Sequence, residues 1–412
     1  MPSKIDNYIL TRITDQDEIN TSRFHNGKSW KGCLTRNDYV VRERVLGLCD
    51  QTKDLWVLKL TEDYVDNPTL STIEVLIRPS LKFINGKIIS TLCACIGGVY
   101  VLPENRGKGL AKIMVDLLIQ QLNVDYMFLY SEIGDYYNKC GFESLEVKLI
   151  EWSIHKDHES HENHENCENR EKIENFVNNS VVQQSDSQEL KNSLNCNDFE
   201  VEELKFLQFD NLMNQYNNQV KQELQEASCD GSSFVCLDVN SNPVDWFHLR
   251  SKYIEYLLFN KKSKKFDFNT ATYSQIISQL KSFGNQTFGL KLSNSNSLGF
   301  IVWTQDWTSN NESYLTILKI VVLKGDQQEL TQKLIETFNQ YIQKWTISKI
   351  ILWESEIDYN HHIKQFLVDH YHAKTNIENK SRSAILMKDP TDQQKLLDGN
   401  IVWAGNEKLP WF

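Results

Sequence analysis

The 412-residue chain has no apolar run long enough to cross a bilayer. Its first residues, Met1-Pro2-Ser3-Lys4-Ile5-Asp6, carry neither the hydrophobic segment of a secretory signal nor the arginine-rich pattern of a transit peptide. A cytoplasmic location, or a nuclear one, is therefore expected, with no membrane partner. A surplus of positive charge is also lacking. The formal net charge is −11, whereas a polyphosphate backbone demands clustered Lys and Arg, so nucleic acid is not an expected partner. The nine cysteines, an odd number, stand singly apart from Cys93 and Cys95. Those two project from the same face of one strand and are poorly set for a bridge, so free, mostly buried thiols are expected. Two nucleotide-binding signatures are missing as well: there is no Gly-x-x-x-x-Gly-Lys-Ser/Thr, and no Gly-x-Gly-x-x-Gly after the first strand of a β-α-β unit.

What is present is an apolar strand that runs into a glycine-punctuated basic turn and then a helix: Gly97-Gly98-Val99-Tyr100-Val101-Leu102-Pro103-Glu104-Asn105-Arg106-Gly107-Lys108-Gly109-Leu110-Ala111. A Gly-x-Gly turn at a helix N-terminus exposes backbone N–H groups that no helical carbonyl can use, and the helix dipole favours an anion there. A phosphate-bearing ligand is expected at this turn. A helix over 112–122 and a buried strand over 126–130 follow, and then Asp135-Tyr136-Tyr137-Asn138-Lys139-Cys140-Gly141-Phe142.

The length exceeds what one hydrophobic core usually organises, and 40% hydrophobic with 24% charged residues is ordinary for a globular chain. Two domains are expected. The first spans 1–154. It opens with a strand from Tyr8 and a helix that Thr14 or Asp15 can cap. A helix over 36–48 and strands over 55–60, 72–77 and 88–101 precede the glycine turn. Residues 155–198 are rich in His, Glu, Asn, Ser and Gln and cannot bury enough apolar surface to fold alone, so they read as a low-complexity, disordered linker. Here His155, His158, His161, His164 and Cys167 recur every three residues. Repeat expansion is favoured over a metal tract, because a flexible segment offers no fixed coordination geometry; no metal is expected.

Residues 199–412 regain globular character, with helices expected over 199–224, 246–259 and 327–345. Strands are expected over 233–237, 287–292, 298–303, 314–322 and 349–353. This repeats the rhythm of residues 72–130. Where a phosphate turn should stand, however, the chain reads Leu323-Lys324-Gly325-Asp326-Gln327-Gln328-Glu329. One glycine and two carboxylates make a poor anion cradle, so the second half is expected to bind no coenzyme.

Arg106-Gly107-Lys108-Gly109-Leu110-Ala111 matches the Arg/Gln-x-x-Gly-x-Gly/Ala turn of the GNAT acetyltransferases, and the tyrosine one helical turn before Gly141-Phe142 resembles a second segment of that family. The resemblance implies an α/β (α+β) GNAT fold, a central mixed sheet flanked by helices, followed by a second, degenerate GNAT-like domain. It implies acetyl-coenzyme A as co-substrate. The N–H of Val99 would face the thioester oxygen and that of Val101 the pantetheine arm, with Gly97-Gly98 letting the strand bulge or splay. The N–H groups of Arg106, Gly107, Lys108, Gly109, Leu110 and Ala111 would take the pyrophosphate. Tyr137 would protonate the leaving thiolate. The general base stays open between Glu132, Glu74 and the carboxylate of Phe412, whose aromatic approach, Leu409-Pro410-Trp411, is too apolar for a solvated end. With Glu74-Val75-Leu76-Ile77-Arg78-Pro79 and Leu129-Tyr130-Ser131-Glu132-Ile133-Gly134, the chain further resembles the fungal lysine acetyltransferases. That implies a small-molecule amine acceptor, the side-chain amine of free L-lysine foremost; a protein lysine acetyltransferase or a non-catalytic acyl-coenzyme A scaffold is the alternative. Oligomeric state is not legible from these residues.

Overall fold

A computed structural model describes residues 7–49, 53–61, 68–154, 198–239, 242–260, 266–357 and 360–411. The histidine tract and Phe412, and with them the linker reading and the terminal carboxylate, lie outside the described residues. The chain forms two compact units, and neither is continuous in sequence. The first comprises residues 1–147, 217–240 and 379–412, and the second residues 148–216 and 241–378.

In the first unit, β1 (Tyr8–Ile13) leads to α1 (Gln16–Trp30) and α2 (Arg36–Cys49). Of the two caps considered, Asp15 takes the role at α1: its carboxylate accepts from the N–H of Glu18 at 2.9 Å. Then come β2 (Lys53–Leu60), β3 (Ser71–Ile84), β4 (Lys87–Val101), α3 (Leu110–Gln121), β5 (Tyr126–Ser131) and β6 (Glu143–Leu145). Strands β1 to β4 pair antiparallel, each with the next, while β4 pairs parallel with β5 across α3. The strand beside β5 comes from the far end of the chain. Residues Arg382–Met387 (β15) lie antiparallel between β5 and β6, so the path reads β1-β2-β3-β4-β5-β15-β6. At the other end of β3, Ser80–Phe83 pair with β9 (Ser233–Leu237), which pairs in turn with β16 (Ile401–Trp403).

Alternation along β3 sets the two faces of this sheet. Ile73 and Val75 join Leu110, Met114 and Leu118 of α3 in one apolar core. Thr72 and Glu74 point the other way, toward α1.

The second unit repeats the plan. Its sheet runs β14-β7-β13-β12-β11-β10-β8, with β7 (Lys148–Trp152), β8 (Glu200–Lys205), β10 (Thr287–Ser293), β11 (Leu298–Trp307), β12 (Ser313–Lys324), β13 (Ile350–Trp353) and β14 (Lys374–Glu378). Helix α4 (Asp210–Ala227) follows β8, with residues 210–216 in this unit and 217–227 in the first, and α5 (Asn242–Phe259) and α6 (Tyr273–Lys281) precede β10. Helix α7 (Gln327–Ile342) is the crossover between the parallel pair β12 and β13, and α8 (His361–Tyr371) leads to β14. A last helix, α9 (Pro390–Leu397), belongs to the first unit.

Two expectations differ from these observations. Residues 199–224 are not one helix, because Glu200–Lys205 pair with β10 before α4 begins. The glutamates and lysine of that edge strand favour helix, but cross-strand pairing overrides propensity where Val201 and Leu204 are buried. The boundaries at 154 and 199 also differ from the observed units: β7 lies in the second sheet and β15 in the first. Strands of five and six residues carry no local mark of their partner, so the exchange is not visible in a sequence pattern.

Candidate active site

The site is built where β4 leaves its neighbours. Thr72 lies opposite Tyr100 and Glu74 opposite Gly97, so β4 carries one residue more than β3 between these pairs. This is a bulge, and Gly98 within it has φ +55°. On the other edge, parallel pairing with β5 runs from Cys93–Tyr126 to Ile96–Leu129 and goes no further. Beyond that point β4 continues to Val101, and its backbone there is not paired with β5. Val99 and Val101 turn their side chains onto the α3 core, which leaves their backbone groups as the functional candidates.

The glycine turn follows. Gly107 and Gly109 have φ +77° and +81°, the left-handed region that favours glycine. A Cβ at either would meet no protein atom within 4 Å; the glycines serve the backbone conformation and leave open space beside it. Gly109 caps α3 without a side-chain hydrogen bond. The first helical bond is Ile113 N–H to Gly109 carbonyl, so the N–H groups of Leu110, Ala111 and Lys112 precede it. Arg106 is tied back by its Nε to the Val101 carbonyl at 3.1 Å, and Lys108 Nζ reaches Asn105 Oδ1 at 3.0 Å. A strand edge that β5 leaves unpaired, a left-handed turn and a helix N-terminus with no side-chain cap fit a pantetheine arm and a pyrophosphate.

Tyr137 stands in a short 3-10 helix, Tyr136–Cys140, that Gly141 closes at φ +93°. Its ring packs edge-on against Tyr136 and Phe142, at 5.2 and 6.2 Å between centroids, within the α3 core. Burial pushes its phenol well above the ordinary value of 10, with Tyr136, Cys140 and Glu132 adding to the rise. Glu132 follows the end of β5, is exposed, and accepts from the indole N–H of Trp30 at 3.4 Å.

Glu74 lies in a chain of buried charges. Its Oε2 is 2.5 Å from Lys53 Nζ, which also reaches Glu43 at 2.7 Å. Glu43 is held besides by Arg42 Nε and a terminal guanidinium nitrogen, at 2.9 and 2.7 Å. Burial works to raise the carboxyl pKa of Glu43, but Lys53 and Arg42 outweigh it and hold the group well below the usual range. On the other side, Arg23 Nε stands 3.8 Å from Glu74 Oε1. Arg23, Asn26, Lys53, Tyr100 and Trp30 were not singled out from sequence. The available signal was α1 itself, whose buried residues are Ser22, Arg23, Asn26 and Gly27 in place of an apolar stripe.

The second unit keeps the framework and alters the chemistry. Between Val302–Lys319 and Trp303–Ile317, β12 again carries an extra residue, and its pairing with β13 stops after Ile317. Yet Asp326 caps α7, its carboxylate accepting from Glu329 N–H at 2.8 Å. An anion of the protein's own thus sits where Gly109 leaves α3 open. Beside the bulge, the buried Lys319 pairs at 3.3 Å with Glu356, from the short helix after β13.

The fold and the bulged, splayed strand define a GNAT acetyltransferase. The chain matches the family model described as the LYC1 GNAT-like C-terminal domain over residues 181–412, more than half its length, and belongs to that family. It is 24% identical over 464 aligned positions to an uncharacterized protein of Saccharomyces cerevisiae, covering 100% of this chain and 99% of that one. A lysine acetyltransferase of Yarrowia lipolytica is 30% identical over 161 positions, covering 32% of this chain and 40% of the enzyme. Among solved structures, a GCN5-related N-acetyltransferase from Anabaena variabilis superposes with a TM-score of 0.51 at 14% identity, over 93% of this chain and 73% of that one. That likeness concerns the fold. No helix among the described residues is long and apolar enough to cross a membrane.

Proposed function

We propose that the chain transfers acetyl from acetyl-coenzyme A to a small-molecule amine, foremost the side-chain amine of free L-lysine. The observation that carries this reading is the conjunction of the Gly98 bulge, the strand edge that β5 leaves unpaired and the uncapped N-terminus of α3 in one unit. The named relative from Yarrowia lipolytica supports the choice of lysine.

The roles follow from what the reaction needs. The amine must lose a proton, the thioester carbonyl must be held as it becomes an oxyanion, and the departing thiolate must gain a proton. Val99 N–H donates to the carbonyl oxygen, and Val101 N–H holds the pantetheine arm. The N–H groups of residues 107–111 hold the pyrophosphate; that of Arg106, expected with them, is bonded at 3.3 Å to the Pro103 carbonyl, so Arg106 contributes its charge, as does Lys108. Glu132 accepts the proton as the amine forms its bond to the acyl carbon, and Tyr137 donates one to the sulfur as the C–S bond breaks. Tyr137 suits that task because burial keeps its phenol protonated. Nucleic acid, metal and membrane have no part in this reading.

The test is thiol release from acetyl-coenzyme A by the purified chain with free amino acids, diamines and a protein substrate offered separately. Release with lysine and not with protein supports the proposal. Tight coenzyme binding with no release on any acceptor overturns it.

A further inference from the structure

Buried side-chain polar atoms in folded proteins nearly all find a hydrogen-bond partner. Around one spot on the α1 face of the first sheet, four do not: Arg23 Nε, Asn26 Nδ2, Glu74 Oε1 and Tyr100 Oη. These residues are 8%, 0%, 3% and 3% exposed. They are neighbours by construction. Arg23 and Asn26 stand three apart on α1 and share a face; Thr72 and Glu74 stand two apart on β3 and share the face opposite. The two faces meet pairwise. Arg23 Nε approaches Glu74 Oε1 at 3.8 Å, too far for a hydrogen bond, and Asn26 Oδ1 accepts from Thr72 Oγ1 at 3.0 Å. Tyr100 lies directly across from Thr72, and its ring packs edge-on against Trp30, one turn along α1 from Asn26. The whole group borders the Gly98 bulge, since a Cβ on Gly98 would touch the Glu74 stem.

The chemistry of the four atoms is unequal. Three are donors, among them a guanidinium N–H, and one is a carboxylate oxygen. Such a set is complementary to a group rich in acceptors and negatively charged that carries a donor beside it. We propose that this cluster is the recognition site for the amino-acid end of the acceptor. Arg23, Asn26 and Tyr100 take its α-carboxylate and Glu74 its α-ammonium, leaving the side-chain amine for the bulge. The proposal rests on the function proposed above and adds the residues that would select its acceptor, admitting a free amino acid over a diamine or a lysine within a polypeptide. It also gives α1 a reason for its polar buried face, because an apolar stripe there would have nothing to offer a zwitterion. Hydrogen bonds to a charged group that exist only with ligand bound are lost outright when the ligand lacks the matching group.

Calorimetric titration of the full chain saturated with coenzyme A tests this without turnover. The probes are L-lysine, 6-aminohexanoate, which keeps the carboxylate and lacks the α-amine, and 1,5-diaminopentane, which lacks the carboxylate. L-lysine is expected to bind best, 6-aminohexanoate next, and 1,5-diaminopentane at least about tenfold more weakly than L-lysine. Tyr100→Phe, the mildest change, should weaken L-lysine and 6-aminohexanoate and leave 1,5-diaminopentane unchanged; Arg23→Gln should do so more strongly. Equal binding of L-lysine and the diamine, or no binding of any probe, overturns the recognition site. Lysine binding with this selectivity but without acetyl transfer overturns the proposed function while sustaining the site. If Arg23→Gln fails to fold, wild-type selectivity and Tyr100→Phe decide.

Discussion

A Cβ placed on Gly98 would stand 3.0 Å from the Cγ of Glu74. The bulge that opens β4 and the carboxylate buried beside it are therefore packed on each other, and neither can be altered alone. Gly98→Ala meets this contact and a φ of +55° together. The left-handed conformation alone costs an L-residue about 1–2 kcal/mol. We expect at least that loss in chemical denaturation, with turnover falling as the bulge shifts. Unchanged stability and turnover would show that the bulge does not depend on glycine.

Tyr137→Phe removes only a hydroxyl from a ring packed between Tyr136 and Phe142. If that hydroxyl protonates the thiolate, turnover should fall by roughly 10²–10⁴-fold, the usual worth of a positioned acid, while acetyl-coenzyme A affinity stays within about twofold of wild type by the same argument. Because burial raises its pKa above 10, the phenol stays protonated through the neutral and alkaline range. The wild-type pH profile should then show no descending limb from this group below pH 10. A limb there that vanishes in the variant would contradict the assignment.

The two helix N-termini predict opposite results. Gly109→Ala places a methyl in the open space beside the first N–H groups of α3 and strains a φ of +81°, so the KM for acetyl-coenzyme A should rise about tenfold or more, as expected when charged hydrogen bonds are lost. Asp326→Ala removes a cap and should cost about 1 kcal/mol without changing that KM. A coenzyme defect in Asp326→Ala would mean that the second unit takes part in binding.

Glu43 supplies a pH dependence of stability. Its folded pKa lies below the ordinary 4.5, so the folded state keeps the carboxylate ionised where the unfolded chain takes up a proton. The stabilisation is complete above the unfolded value and is lost as pH falls through that value toward the folded one. Thermal melting should show this loss beginning near pH 4.5 and continuing below it. Glu43→Gln should flatten that part of the profile and destabilise the protein by about 3–5 kcal/mol at neutral pH, because buried cations lose a partner. A profile unchanged by the substitution would contradict the role of the ion chain.

Exchange of strands between the two halves of the sequence makes truncation severe. A chain ending at residue 154 lacks β15, whose Ala384, Ile385, Leu386 and Met387 are buried, and β16 with its buried Trp403. It also lacks the tail, in which Arg78 donates to the Pro410 carbonyl at 3.0 Å and Trp411 packs on Tyr130 at 5.4 Å. Such a fragment should give no cooperative melting transition; a well-folded fragment would show that β15 is dispensable.

The bulge and the glycine turn were legible because their conformations are local. Gly98, Gly107 and Gly109 each answer to a backbone conformation within a few residues, and that need is written in the residue itself. The acceptor side was not legible. Glu74 could be noticed as a carboxylate on a strand, but its neighbours come from a helix about fifty residues earlier and from the next strand, and only side-chain packing brings Arg23 and Asn26 to it.

The sequence by itself thus determined the class of fold, the crossover helix with its glycine turn, and the loss of that turn in the second half, where Asp326 replaces an open N-terminus. Tertiary structure alone decided which strands complete each sheet, that β7 joins the second sheet and β15 the first, and that a polar face of α1 closes over Glu74. The physical reason is range. Helix caps, left-handed turns and hydrophobic alternation act over a few residues, whereas strand partners and buried ion pairs join segments whose separation leaves no periodicity to read.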